Sequence, residues 1–290
     1  MKPPPFLYSR PDTIEGALAL LAEHGDEAKP LAGGQSLVPL LNFRLARPSV
    51  LVDLAMLEEL RGIDRRDHEL VIGAMTVQRR AERDPGMREA CPLVPAALRH
   101  VGHLQIRNRG TVGGSLAHAD PAAELPAVAL ATDATILARS STSERAIPAR
   151  DFFDGPFMTA LRPDELLVGV RIPIREDART AFMELARRTG DFALAGVAVS
   201  VVLDEGWLVS HAGISGLGVG PKPVRLHGAE AAVLGQALEE ETISAAAAAA
   251  SKEVEPMSDV HADEAYRRHL VGVLLGRALR QVRPADEPEP

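Results

Sequence analysis

Ala32-Gly33-Gly34-Gln35-Ser36-Leu37 sets a glycine pair between a strand-like run, residues 29–32, and a helix-like run, residues 36–41. Glycine tolerates positive φ and has no Cβ, so consecutive main-chain N–H groups can turn to one side there and admit an anion to the backbone. A phosphate is the natural guest. The pattern returns in Thr111-Val112-Gly113-Gly114-Ser115-Leu116, again two glycines followed by a hydroxyl residue and leucine. Two such loops are suited to grip a pyrophosphate from two sides. Neither is Gly-x-Gly-x-x-Gly and neither ends in Gly-Lys-Ser/Thr, which argues against a Rossmann site and a P-loop. Taken singly, each glycine pair reads first as a tight turn, and it is the pair together that favours a phosphate.

Working outward, Asp12 with Glu15 three residues on marks a helix start, and Ile14, Ala17, Leu18 and Leu21 share one face before Gly25 ends the run. Residues 50–54 are apolar and β-branched enough for a strand, so the opening third alternates strand and helix. Ile63 and residues 70–72 flank a polar stretch, 64–68, as in a hairpin; Thr76 is then the expected cap of a helix running to Asp84-Pro85. A helix is predicted over 92–101, a polar connector over 105–110, a helix over 122–132 and strands over 134–138 and 166–172. The charged, proline-marked stretch 173–179 is the expected domain boundary. Beyond it, 196–203 and 207–214 form a hairpin about Asp204-Glu205-Gly206, and helices follow over 229–238, 241–254 and 263–282. The alanine run 245–250 is a flat helix-packing face. In the last helix Tyr266, Leu270, Val273, Leu274 and Leu279 form one stripe, and the acidic tail from Arg283 is expected to fray.

The chain has 290 residues, 46% hydrophobic and 25% charged, enough for two domains and a sizeable core. Aromatic residues make up only 3% and the net charge is −8, so neither stacking platforms nor a basic surface for nucleic acid is present. Cys91 is the single cysteine, which excludes an internal disulfide, a zinc ribbon or a thiolate-held iron–sulfur cluster within the chain. No run approaches the ~18 apolar residues of a membrane span, and the N-terminal Met1-Lys2-Pro3-Pro4-Pro5-Phe6 has no apolar signal core; a cytoplasmic location is the expectation.

Three further groups invite a functional reading. His118, Asp120 and Glu124 follow the second glycine pair; they lack the paired histidines of a helical zinc site, so hydrogen bonds to a sugar or polyol rank ahead of metal, with helix capping close behind. Arg187-Arg188-Thr189-Gly190-Asp191-Phe192 reads either as a charged turn or as a place where Phe192 covers a planar ligand. The remaining histidines are scattered and no Gly-x-Ser-x-Gly occurs, so hydrolase chemistry has no support. Cys91, before Pro92 at a helix start, reads as a buried structural thiol.

Together, Met1-Lys2-Pro3-Pro4-Pro5-Phe6, the run from Lys29 to Pro39 around the first glycine pair, the run from Ile106 to Glu124 around the second, and Arg187-Arg188-Thr189-Gly190-Asp191-Phe192 resemble the FAD-binding medium subunits of molybdenum hydroxylases. Carbon monoxide dehydrogenase medium chains and, more distantly, the xanthine dehydrogenase flavin domain belong to that family, and the resemblance covers essentially the whole chain. It implies an α+β fold: a two-part FAD-binding domain of the vanillyl-alcohol-oxidase type over 1–175, divided into about 1–56 and 57–175, and a smaller C-terminal domain of antiparallel strands and helices over 176–290. It implies that Leu31, Ala32, Gly33, Gly34, Gln35, Ser36 and Leu37, with Thr111, Gly113, Gly114 and Ser115, hold the FAD pyrophosphate largely through main-chain N–H groups. Asp120 and Glu124 would lie near the ribityl and ribose hydroxyls, and Leu167 and Phe192 near the flavin or adenine rings. The implied function is electron transfer from [2Fe–2S] clusters on a small partner subunit to an external acceptor, the substrate being oxidised at a molybdopterin on a large partner subunit, in a dimer of heterotrimers. The lone cysteine fits clusters carried by a partner and speaks against relatives with an additional cluster in the flavin subunit. A stand-alone FAD oxidoreductase of the same fold and a flavin-free assembly module remain the alternatives.

Overall fold

The structure, a computed structural model, describes residues 2–284. The first unit is built from β1 (Leu7–Ser9), α1 (Ile14–His24), β2 (Ala28–Leu31), α2 (Leu37–Asn42) and β3 (Val50–Asp53). Its strands form a parallel sheet in the order β1-β3-β2. α1 lies on that sheet because Ile14, Ala17, Leu18 and Leu21 recur at helical spacing and are all buried. Its cap is Thr13, whose side chain accepts from the Gly16 N–H at 3.1 Å, rather than the expected Asp12–Glu15 pair; Thr13 is the residue with extended backbone directly before the first helical turn.

The second unit comprises β4 (Ile63–Arg66), β5 (Glu69–Gly73), α3 (Gln78–Arg83), α4 (Pro85–Ala90), α5 (Leu93–Leu98), α6 (Leu104–Arg107), α7 (Val112–His118), α8 (Glu124–Ala131), β6 (Thr135–Arg139), β7 (Glu144–Pro148), α9 (Ala149–Phe152), β8 (Phe153–Gly155), β9 (Met158–Thr159) and β10 (Leu166–Pro173). β4-β5-β10-β6-β7 form an antiparallel sheet covered by helices. Thr76 is no helix cap here. It is 1% exposed, and its hydroxyl donates to the Gly62 carbonyl at 2.8 Å and accepts from the Gly62 N–H at 3.0 Å. The predicted polar connector contains α6, and the helix predicted over 92–101 closes at Leu98.

The third unit is β11 (Arg179–Ala186), β12 (Ala193–Leu203), β13 (Val209–Leu217), β14 (Val224–Arg225), α10 (His227–Val233), α11 (Glu240–Glu253) and α12 (Glu264–Val282), its strands antiparallel in the order β11-β12-β13-β14. The predicted hairpin is β12–β13. β12 reads as an unbroken apolar run because both of its faces are covered: Ala198 points into the core shared with α8, whereas Val197, Val199 and Val201 point into a separate core under α11 and α12. Ala246 and Ala250 of the alanine run are fully buried in that second core. In α12, Leu270, Leu274 and Leu279 are buried as expected, but Val273 is only half-buried and Tyr266 is 44% exposed. Of the acidic tail, residues 285–290 lie outside those described.

α8 fastens this unit to the flank of the second. All of its residues are buried. The Ser215 hydroxyl donates to the Ala127 carbonyl at 2.7 Å, and a Cβ at Gly213 would fall 1.9 Å from the Ala131 carbonyl oxygen. The helix and β13 are therefore in backbone contact. Gly213→Ala is expected to lower unfolding free energy by about 3 kcal/mol through overpacking, measured by urea denaturation against wild type.

Candidate functional site

The two glycine pairs come together. A Cβ at Gly33 would lie 2.3 Å from the Arg109 carbonyl oxygen and 2.8 Å from Gly110 Cα, so only glycine permits this approach between the first and second units. Gly34 has φ +72°, which turns the chain from β2 into α2. Around that turn the N–H groups of Gly33, Gly34, Gln35 and Ser36 have no acceptor among the described residues, although Gly33, Gly34 and Gln35 are half-buried. The Gln35 side chain donates back to the Gly33 carbonyl at 3.1 Å and stiffens the turn. Buried N–H groups without partners are uncommon, and a row of them is a place for an anion.

The second pair is not a loop. Gly113 and Gly114 lie in the first turn of α7, which Thr111 caps through its Oγ1 and the Gly114 N–H at 3.0 Å. The Val112 and Gly113 N–H groups donate to the carbonyls of Thr76 and Ala74, both at 2.9 Å, and the Ser115 N–H to that of Thr111 at 3.1 Å. What this segment offers a ligand is thus the Thr111 N–H, which has no acceptor among the described residues, and the Thr111 and Ser115 hydroxyls. Its main-chain N–H groups from 112 to 115 are already spent, those of Val112 and Gly113 on holding α7 to the end of β5 and those of Gly114 and Ser115 on Thr111.

Past α7, Ala119 takes the left-handed conformation (φ +51°), and Asp120 accepts from the Ala122 N–H at 2.9 Å. Glu124, the first residue of α8, is 9% exposed; burial, together with the negative charges of Glu184 and Asp120, pushes its carboxyl up to about 8. His118 packs on Phe157, ring centroids 5.1 Å apart, and burial lowers its pKa.

Residues 4–175 match the family described as the FAD binding domain in molybdopterin dehydrogenase, and residues 180–282 match the CO dehydrogenase flavoprotein C-terminal domain. The chain belongs to the FAD-binding medium subunits of molybdenum hydroxylases. It is 43% identical to the 6-hydroxypseudooxynicotine dehydrogenase complex subunit alpha of Paenarthrobacter nicotinovorans, covering 99% of each chain. It is 39% identical to the carbon monoxide dehydrogenase medium chain of Hydrogenophaga pseudoflava over 96% of this chain and 97% of that one. A solved structure of carbon monoxide dehydrogenase from the same organism, lacking the Mo-pyranopterin moiety of its molybdenum cofactor, superposes with a TM-score of 0.95, covering 97% and 98% of the two chains at 39% identity.

In this medium subunit, Leu31 closes β2 directly before the turn, with its Cδ1 3.5 Å from where a Gly34 Cβ would stand. Ala32 is also within reach of the second segment, 3.5 Å from the position of a Gly114 Cβ. Leu37 opens α2. Leu167, at a bulge in β10, is 4% exposed with its side chain in the main core. Phe192 is 72% exposed in the turn between β11 and β12, whose Gly190 sits against the His103 ring. Cys91 is buried and its thiol pushed up to about 11, so no reactive thiolate is available. No helix of the described residues is long and apolar enough to cross a membrane.

Several residues of this neighbourhood have no sequence signal of their own. Gln78 donates its main-chain N–H to the Gly110 carbonyl at 2.8 Å. Arg107 binds Glu82 at 3.0 Å and the Val101 and Gly102 carbonyls at 2.8 and 3.3 Å. Glu184 faces Glu124 from β11, a strand that sequence patterning missed.

Glu124 links site and stability. Its folded value of about 8 stands above its ordinary 4.5, so the folded chain retains a proton that the unfolded chain has released. The resulting stabilisation is complete below about pH 4.5 and disappears as pH rises to about 8. Glu124→Gln, neutral throughout, should flatten that decline, gaining a few kcal/mol on wild type by the alkaline end of the window; urea unfolding across the pH range measures it.

Proposed function

We propose that this medium subunit holds FAD between residues 31–37 and 111–115 and passes electrons from iron–sulfur clusters on a small partner subunit to an external acceptor. The observation that carries the reading is the row of unpartnered N–H groups from Gly33 to Ser36, joined by that of Thr111. A pyrophosphate carries the negative charge and acceptor oxygens that such a row lacks. The Thr111 and Ser115 hydroxyls would complete the grip from α7, around Gly113, whose lack of a side chain keeps that turn close to Ala74 after β5, and Gly114, which faces Thr111 and Ala32. Asp120 and Glu124, which follow α7, would hold the ribityl and ribose hydroxyls. Leu167 is assigned to the ring environment through its backbone beside the β10 bulge, and Phe192 through closure of the turn that carries it.

Bound FAD supplies the redox chemistry. The chain's own groups bind and orient it, keep water from its phosphates and set the field around it, which needs no acid–base pair dedicated to a substrate. The substrate is then handled at molybdopterin on a large partner subunit, with the assembly a cytoplasmic dimer of heterotrimers. The FAD-binding region is assigned to 1–175, with parts of about 1–56 and 57–175, and the C-terminal domain to 176–290.

Gly33→Val and Gly34→Val should each reduce flavin content at least tenfold, the first by parting the two segments and the second by straining a left-handed position; Gln35→Ala should cost less. Flavin absorbance per chain, with circular dichroism to verify folding, checks this. Affinity capture from native cells should recover molybdenum and iron with the chain; an intact capture without either would favour a stand-alone oxidoreductase.

A further inference from the structure

A cluster of opposite charges closes the seam between α8, the segment after β10 and the third unit, and His211 stands beside it without a hydrogen bond of its own. Asp133, in the turn after α8, receives Arg175 on Oδ2 and Arg225 on Oδ1, both at 2.8 Å. Arg225, on β14, also binds Glu230 of α10, the Leu130 carbonyl and, at 3.2 Å, the Ala212 carbonyl of β13. Arg175 otherwise reaches the Thr132 carbonyl at 3.3 Å. It lies in the segment that joins β10 to β11, the passage of the chain from the second unit to the third. His211, on β13, brings Nε2 to 3.5 Å from Asp133 Oδ2, the oxygen that Arg175 also holds. That nitrogen is buried and has no hydrogen-bond partner among the described residues. His227, 78% exposed, meets Glu230 Oε2 at 3.2 Å on the rim of the cluster.

We propose that His211 is an acid-sensitive latch: neutral, it leaves Arg175 to hold the segment after β10 to Asp133; protonated, it contends with Arg175 for the same oxygen and loosens that segment from α8 and β13. Two carboxylates, Asp133 and Glu230, already balance two guanidinium groups here. An imidazolium would be a fifth charge with no counter-charge left to match it. Burial, the largest effect, and the charges of Arg175 and Arg225 hold the His211 pKa below its ordinary 6.5, against the pull of Asp133 and Glu230. The folded chain therefore takes up this proton less readily than the unfolded chain. The resulting loss of stability is absent well above pH 6.5, sets in as pH falls through that value and grows until the folded group is protonated too.

Hydrogen exchange of the full chain, read by mass spectrometry, tests the latch, with circular dichroism to verify the fold of each variant. After correction for intrinsic rates, peptides covering 174–178 and β13 should exchange about tenfold faster at about pH 5.5 than at about pH 7.5, a range across which histidine changes charge. His211→Gln, which carries no charge at either pH, should remove that acceleration, and His227→Gln should keep it. No acceleration in the wild type, or one that persists in His211→Gln, overturns the proposal. A second reading comes from the His211 ring resonances, identified by their loss in His211→Gln. In Arg175→Gln, with the competing cation gone, their titration midpoint should rise to higher pH. A midpoint that stays where it is in the wild type also overturns the proposal, because Arg175 and His211 would then not be rivals for Asp133.

Discussion

The approach of Gly33 to the Arg109 carbonyl and Gly110 Cα is the contact on which the site depends. It joins a parallel unit and an antiparallel unit backbone to backbone, with no side chain interposed. Each partner is braced from behind. Gly110 is held by the Gln78 N–H, and α7 by the Thr76 and Ala74 carbonyls at the end of β5; Thr76 in turn pins Gly62 at the entrance to β4. The position of the glycine turn is therefore fixed by a sheet, although the turn itself belongs to no regular element. A site made of main chain needs this support, because its donors cannot adjust by changing rotamer.

The C-terminal unit is held as firmly. α8 runs from Glu124 beside the site to Ala131 under β13, and the next turn places Asp133 among cations. Its carboxylate meets Arg175 and Arg225, both at 2.8 Å, and Arg225 also binds Glu230 and the Leu130 carbonyl. His211, 3.5 Å from the same carboxylate, has its pKa lowered by burial and by the neighbouring arginines. These bonds draw on the second unit, the segment after β10 and the third unit together. With a helix that is buried along its whole length and apolar after Glu124 between the two sheets, the third unit cannot shift without disturbing the start of α8, which is how β11 comes to bear on Glu124.

What could be read from the chain follows from how locally each signal is encoded. α1 announces itself by its spacing, and β12–β13 by an apolar run broken at Asp204-Glu205-Gly206. β11 carries a weak strand signal because its residues alternate poorly: Phe182 faces a core, but Glu184 and the opening Arg179 occupy positions that only distant partners make sense of. The cap of α1 was placed one residue early, and Thr76 was taken for a cap because a threonine before a helix is ambiguous until Gly62 is brought to it. The glycine turn was legible since its chemistry resides in the backbone and glycine is its only requirement. Glu184 was not, as its bearing on Glu124 depends on a residue far from it in the chain.

The two halves of the glycine motif look alike in sequence and differ in what they offer. In residues 33–36 the backbone N–H groups are open because the positive φ at Gly34 turns the chain before α2 begins. In residues 112–115 the same residue types lie inside a helix already docked on β5, and every N–H has an acceptor. One half presents open main-chain N–H groups and the other presents hydroxyls and a cap, which separates their tolerances. A larger residue at 33 would part the two segments, and one at 34 would strain the left-handed turn that opens the N–H groups. At 113, where a Cβ would lie 2.6 Å from that of Ala74, it acts first on the fold. The shared Gly-Gly-hydroxyl-Leu pattern thus encodes two different physical requirements, and only the surroundings of each distinguish them.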